Sequence, residues 1–159
     1  LLLAGLVQVP EGRLWRVVNE PLVARTNTQF EWQAGIMLTG YTLEPGSHRP
    51  GAAVPVLLEW EARARPNQDY WFFVHLVGPD GHIWGQVDLP PTQLPTERWQ
   101  PGARYADLVS PVLKADTPPG TYHVTLGWYA YPSMQRLSLA KASADYITLG
   151  DIEVGYRAR

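Results

Sequence analysis

The chain contains no cysteine among its 159 residues. This absence excludes disulfide bonds, thiolate nucleophiles and cysteine ligands for zinc. The net charge is only −2 at pH 7, and the basic residues are dispersed, so no surface for nucleic-acid phosphates is expected. A chain of this length typically folds as one domain with a core that needs no covalent crosslinks.

The motifs of common catalytic sites are also absent. No serine stands in the Gly-x-Ser-x-Gly turn of hydrolase nucleophiles. Glu59 and Glu61 are the one suggestive pair, since a strand places them on one face about 7 Å apart, a distance compatible with glycoside hydrolysis. A solvent-exposed strand face explains the pair equally well. We therefore expect no catalytic residue, with glycoside hydrolysis as the alternative.

The histidines do not predict a metal site. Four are present, and none has the spacing of a zinc-binding motif: His48, His75, His82 and His123. A structural calcium site made of Asp80 or Asp88 and nearby carbonyls stays open, because hard cations accept irregular sets of oxygen ligands.

Glycine and proline, in contrast, are abundant, with 14 and 15 residues spread over the whole length. Four Pro-Gly pairs suit turns in which proline presets φ and glycine takes a positive φ: Pro45-Gly46, Pro50-Gly51, Pro101-Gly102 and Pro119-Gly120. No segment has the pattern of an amphipathic helix. Short segments separated by such turns are typical of an all-β domain.

The clearest element is a hairpin. The run from Asp69 is rich in aromatic and β-branched residues and ends in the turn Pro79-Asp80-Gly81, and a second apolar run, His82–Leu89, follows at once. In the first run, residues at the odd and at the even positions are apolar, so both faces of the strand are apolar. This predicts a strand near the middle of a sheet with both faces covered.

Further strands are expected on the same grounds at Ile36–Leu43, Val54–Arg63, Tyr105–Leu113, Tyr122–Ala130, Gln135–Leu139 and Tyr146–Val154. The sequence therefore predicts a two-sheet, mostly antiparallel β-sandwich of about eight strands, either Ig-like or jelly-roll-like. Six residues from three of these strands are expected to share its core: Val56, Leu58, Phe72, Val74, Val124 and Leu126. In the long connection 90–104, Trp99 is expected to anchor the loop to the sandwich.

The first part of the chain differs from the rest. We expect residues 1–29 to form an extended arm and residues 30–159 to form the sandwich. Leu1–Val7 is apolar but much shorter than the roughly twenty residues that span a bilayer. It is either the tail of a signal peptide or membrane helix, or an arm packed on the domain.

A series of short motifs, in order and spacing, carries a family resemblance: Leu38-Thr39-Gly40-Tyr41, Leu58-Glu59-Trp60, Phe73-Val74-His75-Leu76, Pro95-Thr96 with Trp99, Pro118-Pro119-Gly120-Thr121-Tyr122 and Leu149-Gly150. The series resembles the C-terminal extracytoplasmic β-sandwich domain of bacterial polytopic membrane proteins of the glycosyltransferase or mannosyltransferase-like kind. The resemblance covers about Gly35 to Val154. It implies a non-catalytic accessory module outside the cytoplasm, attached to a membrane portion of the same protein. The loop Ala130-Tyr131-Pro132-Ser133-Met134 departs from the Asp-Pro and glycine-bearing turn of such relatives.

Carbohydrate is the ligand that the side chains favour. If the strands bearing Glu59, His75 and His123 are neighbours in one sheet, its outer face combines aromatic and hydrogen-bonding groups: Trp71, Phe73, His75, Glu59, Glu61, His123, Thr125 and Tyr129. Sugar rings stack on aromatic faces while their hydroxyls take polar partners. The other interpretation, which the seven tryptophans of the chain favour because tryptophans of a sandwich are more often core and anchors, is that Trp71 and Phe73 lie beneath the second sheet or the N-terminal arm.

Three functions therefore stay open. The first is an extracytoplasmic accessory domain of a membrane glycosyltransferase-like protein that recognises glycan or acceptor. The second is a free carbohydrate-binding module. The third is a structural or protein-interaction domain of a surface protein.

Overall fold

The computed structural model describes residues 26–44 and 46–156. These residues form nine strands. In chain order the strands are β1 (Thr26–Trp32), β2 (Ile36–Leu43), β3 (Ser47–His48), β4 (Val56–Ala62), β5 (Tyr70–Val77), β6 (Ile83–Leu89), β7 (Arg104–Val109), β8 (Gly120–Ala130) and β9 (Tyr146–Val154). Two short 3₁₀ turns lie at Gln33–Gly35 and Thr96–Arg98. In the part of the chain described here, no helix is long and apolar enough to cross a membrane.

The strands form two facing sheets. One sheet has four strands in the order β1-β2-β4-β7, and the other has five in the order β3-β9-β8-β5-β6. All neighbours are antiparallel except β3 and β9, which are parallel. The predicted all-β, two-sheet, mostly antiparallel sandwich is confirmed.

Most predicted strands are present, and two of them, Ile36–Leu43 and Tyr146–Val154, have the expected bounds. The sheet already begins at Thr26, ahead of the boundary expected at residue 30, while the rest of the expected arm lies outside the described residues. The segment Gln135–Leu139 is not a strand. It makes only isolated bridges, from Arg136 to Tyr129 and from Leu139 to Trp32.

The core lies between the sheets, as alternation in the strands predicts. All six residues expected to share it belong to one cluster of buried side chains. Its centre is aromatic: Trp60 contacts Trp128 with ring centroids 4.8 Å apart and Phe72 at 5.8 Å. The first pair is edge-to-face and the second is tilted, and aromatic pairs of this kind contribute about 0.5 to 1.5 kcal/mol each beyond the burial of their area.

The hairpin of β5 and β6 closes through the predicted turn. The backbone N–H of Gly78 donates to the carbonyl of His82 at 2.9 Å, and Gly81 has a φ of 78°. The β5 strand is internal in its sheet, whereas β6 is at the edge. Both faces of β5 are largely buried, which explains why apolar residues occur at its odd and at its even positions.

The long loop between β6 and β7 is held down by Trp99, as predicted. The indole is fully buried, stacks on Tyr105 at 4.4 Å between centroids and donates its N–H to the carbonyl of Leu94 at 3.0 Å. The same loop provides Thr92, which hydrogen-bonds the buried carboxylate of Asp107.

The connection between β8 and β9 closes one side of the sandwich. Its residues hydrogen-bond first along the end of β8, where the N–H of Leu137 donates to the carbonyl of Trp128 at 2.9 Å. They then reach the other sheet, where the N–H of Gln33 donates to the carbonyl of Ser138 at 2.9 Å. Residues 135–139 therefore connect the two sheets directly.

Candidate functional site

The outer face of the five-stranded sheet contains most of the residues expected to bind a ligand. Side chains alternate along β5 and β8, and the register pairs Trp71 with Tyr129 and His75 with Thr125. Two residues that are paired across neighbouring strands point to the same side of a sheet, so these four side chains share one face. Phe73, between Trp71 and His75, belongs to it as well.

Glu59 and Glu61 do not belong to this face, and the expectation that they share it was wrong. They lie on β4, which pairs with β2 and β7 in the other sheet. The connection 63–69 crosses from one sheet to the other, so β4 and β5 are consecutive in sequence without being paired. The carboxylate of Glu61 makes ion pairs with Arg63 at 3.1 Å and with Arg104 at 3.5 Å.

Phe73 is buried, and the side chain that covers it, Arg136, was not expected from the sequence. The ring is 2% exposed and lies across Gly127, where an added Cβ would stand only 2.3 Å from a ring atom. The guanidinium of Arg136 lies over the ring, 4.5 Å from its centroid, and also contacts Asp145 at 3.5 Å. The imidazole of His75 stacks beside Phe73 with centroids 4.4 Å apart. Phe73 is therefore part of a packed layer and not an open platform.

Trp71 provides the accessible aromatic surface together with Tyr131. The two rings are nearly parallel, with an interplanar angle of 11° and centroids 4.1 Å apart. Tyr131 is 45% exposed and Trp71 is half-buried. We call these two side chains the Trp71–Tyr131 stack. Tyr131 belongs to the loop between β8 and β9.

Polar groups lie beside the stack. The phenol of Tyr129 is buried, which raises its pKa to about 12, and the charge of Asp88 and a hydrogen bond to its carboxylate act in the same direction. A phenol that donates to a carboxylate loses this bond when it ionises, so the neutral form is favoured. The side-chain N–H of Gln86 also donates to Asp88, at 3.2 Å. Asp88 and Gln86 lie on the edge strand β6, where a ligand can approach them.

His75 lies near the same polar groups and is held mainly as the neutral imidazole. Burial lowers its pKa, the charge of Asp88 opposes this effect, and the charge of Arg136 adds to it. A neutral imidazole has one donor and one acceptor nitrogen and so suits a hydroxyl-bearing ligand.

His123 is on the same face but far from the stack. It pairs with Val77 at the opposite end of β5 from Trp71, and a strand rises about 3.3 Å per residue, so about 20 Å separates the two positions. Its Nδ1 lies 2.6 Å from Oδ1 of Asp151 on β9. The predicted site is therefore divided, and His123 belongs to a separate polar pair.

No observation supports the calcium site considered from the sequence. Oδ1 of Asp80 accepts hydrogen bonds from the backbone N–H of His82 at 3.0 Å and from the indole of Trp84 at 3.1 Å. These bonds lower the pKa of Asp80, the backbone bond most strongly. Across residues 26–44 and 46–156, no three histidine, aspartate or glutamate side chains are grouped in a way that could hold a metal ion.

Two side chains of this face, Tyr131 and Arg136, were not expected there from the sequence. Both lie in the β8–β9 connection, which has no regular alternation. The one sign in the sequence was the expectation, from the suggested resemblance, that the loop 130–134 has an unusual turn.

Comparison with known proteins gave a structural match. No model of a protein family matches the chain, and no curated protein matches it. Among solved structures, a Niemann-Pick type C2 protein from Japanese carpenter ant is similar, with a TM-score of 0.45 and 6% sequence identity, over 86% of this chain and 100% of that chain.

Proposed function

We propose that this domain is a non-catalytic recognition module that binds carbohydrate through the outer face of its five-stranded sheet. The observation that carries the proposal is the Trp71–Tyr131 stack, whose outer ring is 45% exposed. An aromatic face supported from below is already held in one orientation, so a sugar ring that stacks on it loses less conformational entropy of the protein.

The surrounding polar groups suit sugar hydroxyls. Asp88 accepts hydrogen bonds, while the exposed Gln86 offers a donor and an acceptor. Each hydroxyl of a sugar can both donate and accept, and this mixture of groups satisfies both roles. A purely apolar patch would not provide them.

The cellular setting of the proposal follows from the family resemblance. We place the module outside the cytoplasm, as an accessory domain of a membrane glycosyltransferase-like protein, where it recognises glycan or acceptor for the membrane portion. A gene that encodes this domain downstream of several transmembrane segments supports this setting. A complete gene without any such segment contradicts it.

The test of carbohydrate binding uses a glycan array followed by titration calorimetry with the best oligosaccharide. Tyr131→Ala is expected to weaken binding about two- to tenfold, because stacking on an aromatic ring typically contributes about 0.5 to 1.5 kcal/mol. The matched control is Tyr156→Ala, which removes a tyrosine that is 76% exposed and lies outside this face. Trp71→Ala and His75→Ala extend the series. Absence of binding across the array, or equal loss in Tyr131→Ala and Tyr156→Ala, contradicts the proposal.

A structural or protein-interaction role is the second candidate. It is favoured by one observation, the coverage of Phe73 by Arg136, since a ligand platform is normally open. This role predicts no carbohydrate binding, together with a loss of stability when Arg136 is replaced. Glycoside hydrolysis by Glu59 and Glu61 is tested separately, with aryl glycosides and Glu59→Gln, and turnover that this variant abolishes would overturn the non-catalytic assignment.

A further inference from the structure

The end of the sandwich near the start of β5 has an open polar recess. Most of its lining comes from three chain segments, the β1–β2 turn, the β4–β5 connection and the 3₁₀ turn before Trp99, and Leu137 of the β8–β9 connection adds to it. A cleft of about 520 Å³ is lined by Arg65, Pro66, Asn67, Glu97 and Arg98. A neighbouring cleft of about 510 Å³ shares Arg65 and Asn67 and extends to Gln33 and Tyr70. We call the pair the arginine cleft.

Hydrogen bonds hold the donors of the cleft in place. The Nε of Arg65 donates to the carbonyl of Glu97 at 3.0 Å, which joins two of the three segments. The hydroxyl of Tyr70 donates to Oδ1 of Asn67 at 2.8 Å, which leaves the amide nitrogen of Asn67 as the group available to a ligand. Among the described residues, no hydrogen bond or ion pair is seen for the two terminal nitrogens of Arg65 or for the guanidinium of Arg98.

The charge of the cleft is positive. Two guanidinium groups, of Arg65 and Arg98, face one carboxylate, of Glu97. The nearby carboxylate of Glu61 does not change this balance, because it is engaged by Arg63 and Arg104. Planar guanidinium groups with free N–H donors match the oxygen geometry of phosphate and carboxylate.

We propose that the arginine cleft binds a small anion, namely the phosphate or carboxylate group of a small polar molecule. The site is distinct from the Trp71–Tyr131 stack and does not depend on it. Arg65 and Arg98 hold the anionic group, and the amide of Asn67 donates a further hydrogen bond. The two adjoining volumes accommodate a group the size of a monosaccharide beside the anion.

The experiment is a nuclear magnetic resonance titration of the isotopically labelled domain with inorganic phosphate, glucose 1-phosphate, glucuronate and neutral glucose. The three anions are expected to shift the backbone resonances of Asn67 and Glu97 and the side-chain Nε resonance of Arg65. Arg98→Gln is expected to raise Kd about tenfold, the usual effect of losing a hydrogen bond between charged groups. Arg65→Gln provides a second variant. Added salt is expected to weaken binding, because the interaction is electrostatic and solvent-exposed.

Arg104→Gln is the matched control, since Arg104 pairs with Glu61 and does not line the cleft. Binding of phosphates alone, or of phosphates and glucuronate together, supports the proposal and distinguishes the two anion classes. The proposal is overturned if no anion shifts these resonances, if neutral glucose shifts them as strongly, or if Arg104→Gln weakens binding as much as Arg98→Gln. Tyr131→Ala is expected to leave phosphate binding unchanged, so this site and the carbohydrate face are tested independently.

Discussion

The indole N–H of Trp60 donates to Oδ2 of Asp107 at 3.0 Å inside the sandwich. Oδ1 of the same carboxylate accepts from the backbone N–H and the hydroxyl of Thr92, at 2.8 and 2.7 Å. Asp107 is 2% exposed, and it links the central tryptophan to the loop held down by Trp99. Burial raises its pKa, and the hydrogen bonds from Thr92 and Trp60 offset part of the rise.

Replacement of Asp107 by alanine is expected to lower the free energy of unfolding by about 2 to 4 kcal/mol. The physical reason is that the buried donors of Trp60 and Thr92 lose their acceptor, and an unpartnered buried polar group costs about 1 to 3 kcal/mol. Urea unfolding followed by tryptophan fluorescence measures the change. The control, Asp116→Ala, alters an exposed aspartate. Equal stability of the two variants would show that the buried hydrogen bonds make no net contribution.

The raised pKa of Asp107 gives a pH dependence with a definite sign. Between the ordinary value of 3.8 and the raised folded value, the folded state binds more protons than the unfolded state. The contribution of Asp107 to stability is therefore greatest at low pH and falls as pH rises through this interval. We expect the free energy of unfolding of the wild type, relative to Asp107→Asn, to fall as the pH rises above the ordinary value of 3.8. A relative stability that rises with pH would contradict the assigned direction.

Gly127→Ala is expected to destabilise the domain by about 1 to 3 kcal/mol, the usual range for overpacking a well-packed site. The new Cβ would stand 2.3 and 2.5 Å from two atoms of the Phe73 ring and 2.8 Å from the carbonyl of Asp145. Gly155→Ala is the matched control, because nothing lies within 4 Å of an added Cβ there. Thermal unfolding of both variants tests the difference. A neutral Gly127→Ala would show that the Phe73 ring moves aside without cost.

Trp99→Ala is expected to cost about 3 to 5 kcal/mol, as do other truncations of large core side chains. The variant removes the stack on Tyr105 and the contact with Trp128, and it releases the loop between β6 and β7. Trp84→Ala, at a half-buried tryptophan on β6, is expected to cost less. The midpoints of denaturant unfolding compare the stabilities of the two variants, and limited proteolysis locates any part of the chain that unfolds locally. An equal effect of both variants would argue against the anchoring role of Trp99.

The sequence predicted the sandwich well because strand alternation and turn residues are local signals. The bounds of β2 and β9 and the Pro79-Asp80-Gly81 hairpin follow from such signals. Two errors have physical causes. Thr26–Trp32 is mostly exposed and has no clear apolar alternation, so the edge strand β1 was not recognised. Gln135–Leu139 has an extended pattern but meets partners at single positions on two different sheets, so no ladder forms.

The candidate site was harder to predict because it depends on which strands pair. Alternation shows which side chains of one strand share a face, but it does not show that the connection after β4 crosses to the other sheet. Glu59 and Glu61 were therefore assigned to the wrong face. Arg136 reaches Phe73 through a loop whose course is set by tertiary contacts, and no local pattern encodes such a contact.

The bridging segment 135–139 has a consequence for how this domain can diversify. Tyr131 lies only a few positions before the stretch that joins the two sheets, and the N–H of Ala130 donates to the carbonyl of Gln135 across the intervening turn. Insertions between Tyr131 and Leu139 would separate the layers as well as reshape the surface. The join extends to Ala140, whose N–H donates to the carbonyl of Glu31 on β1 at 2.8 Å. New binding preferences are therefore expected to arise by side-chain replacement near Tyr131 and by length changes only beyond Ala140.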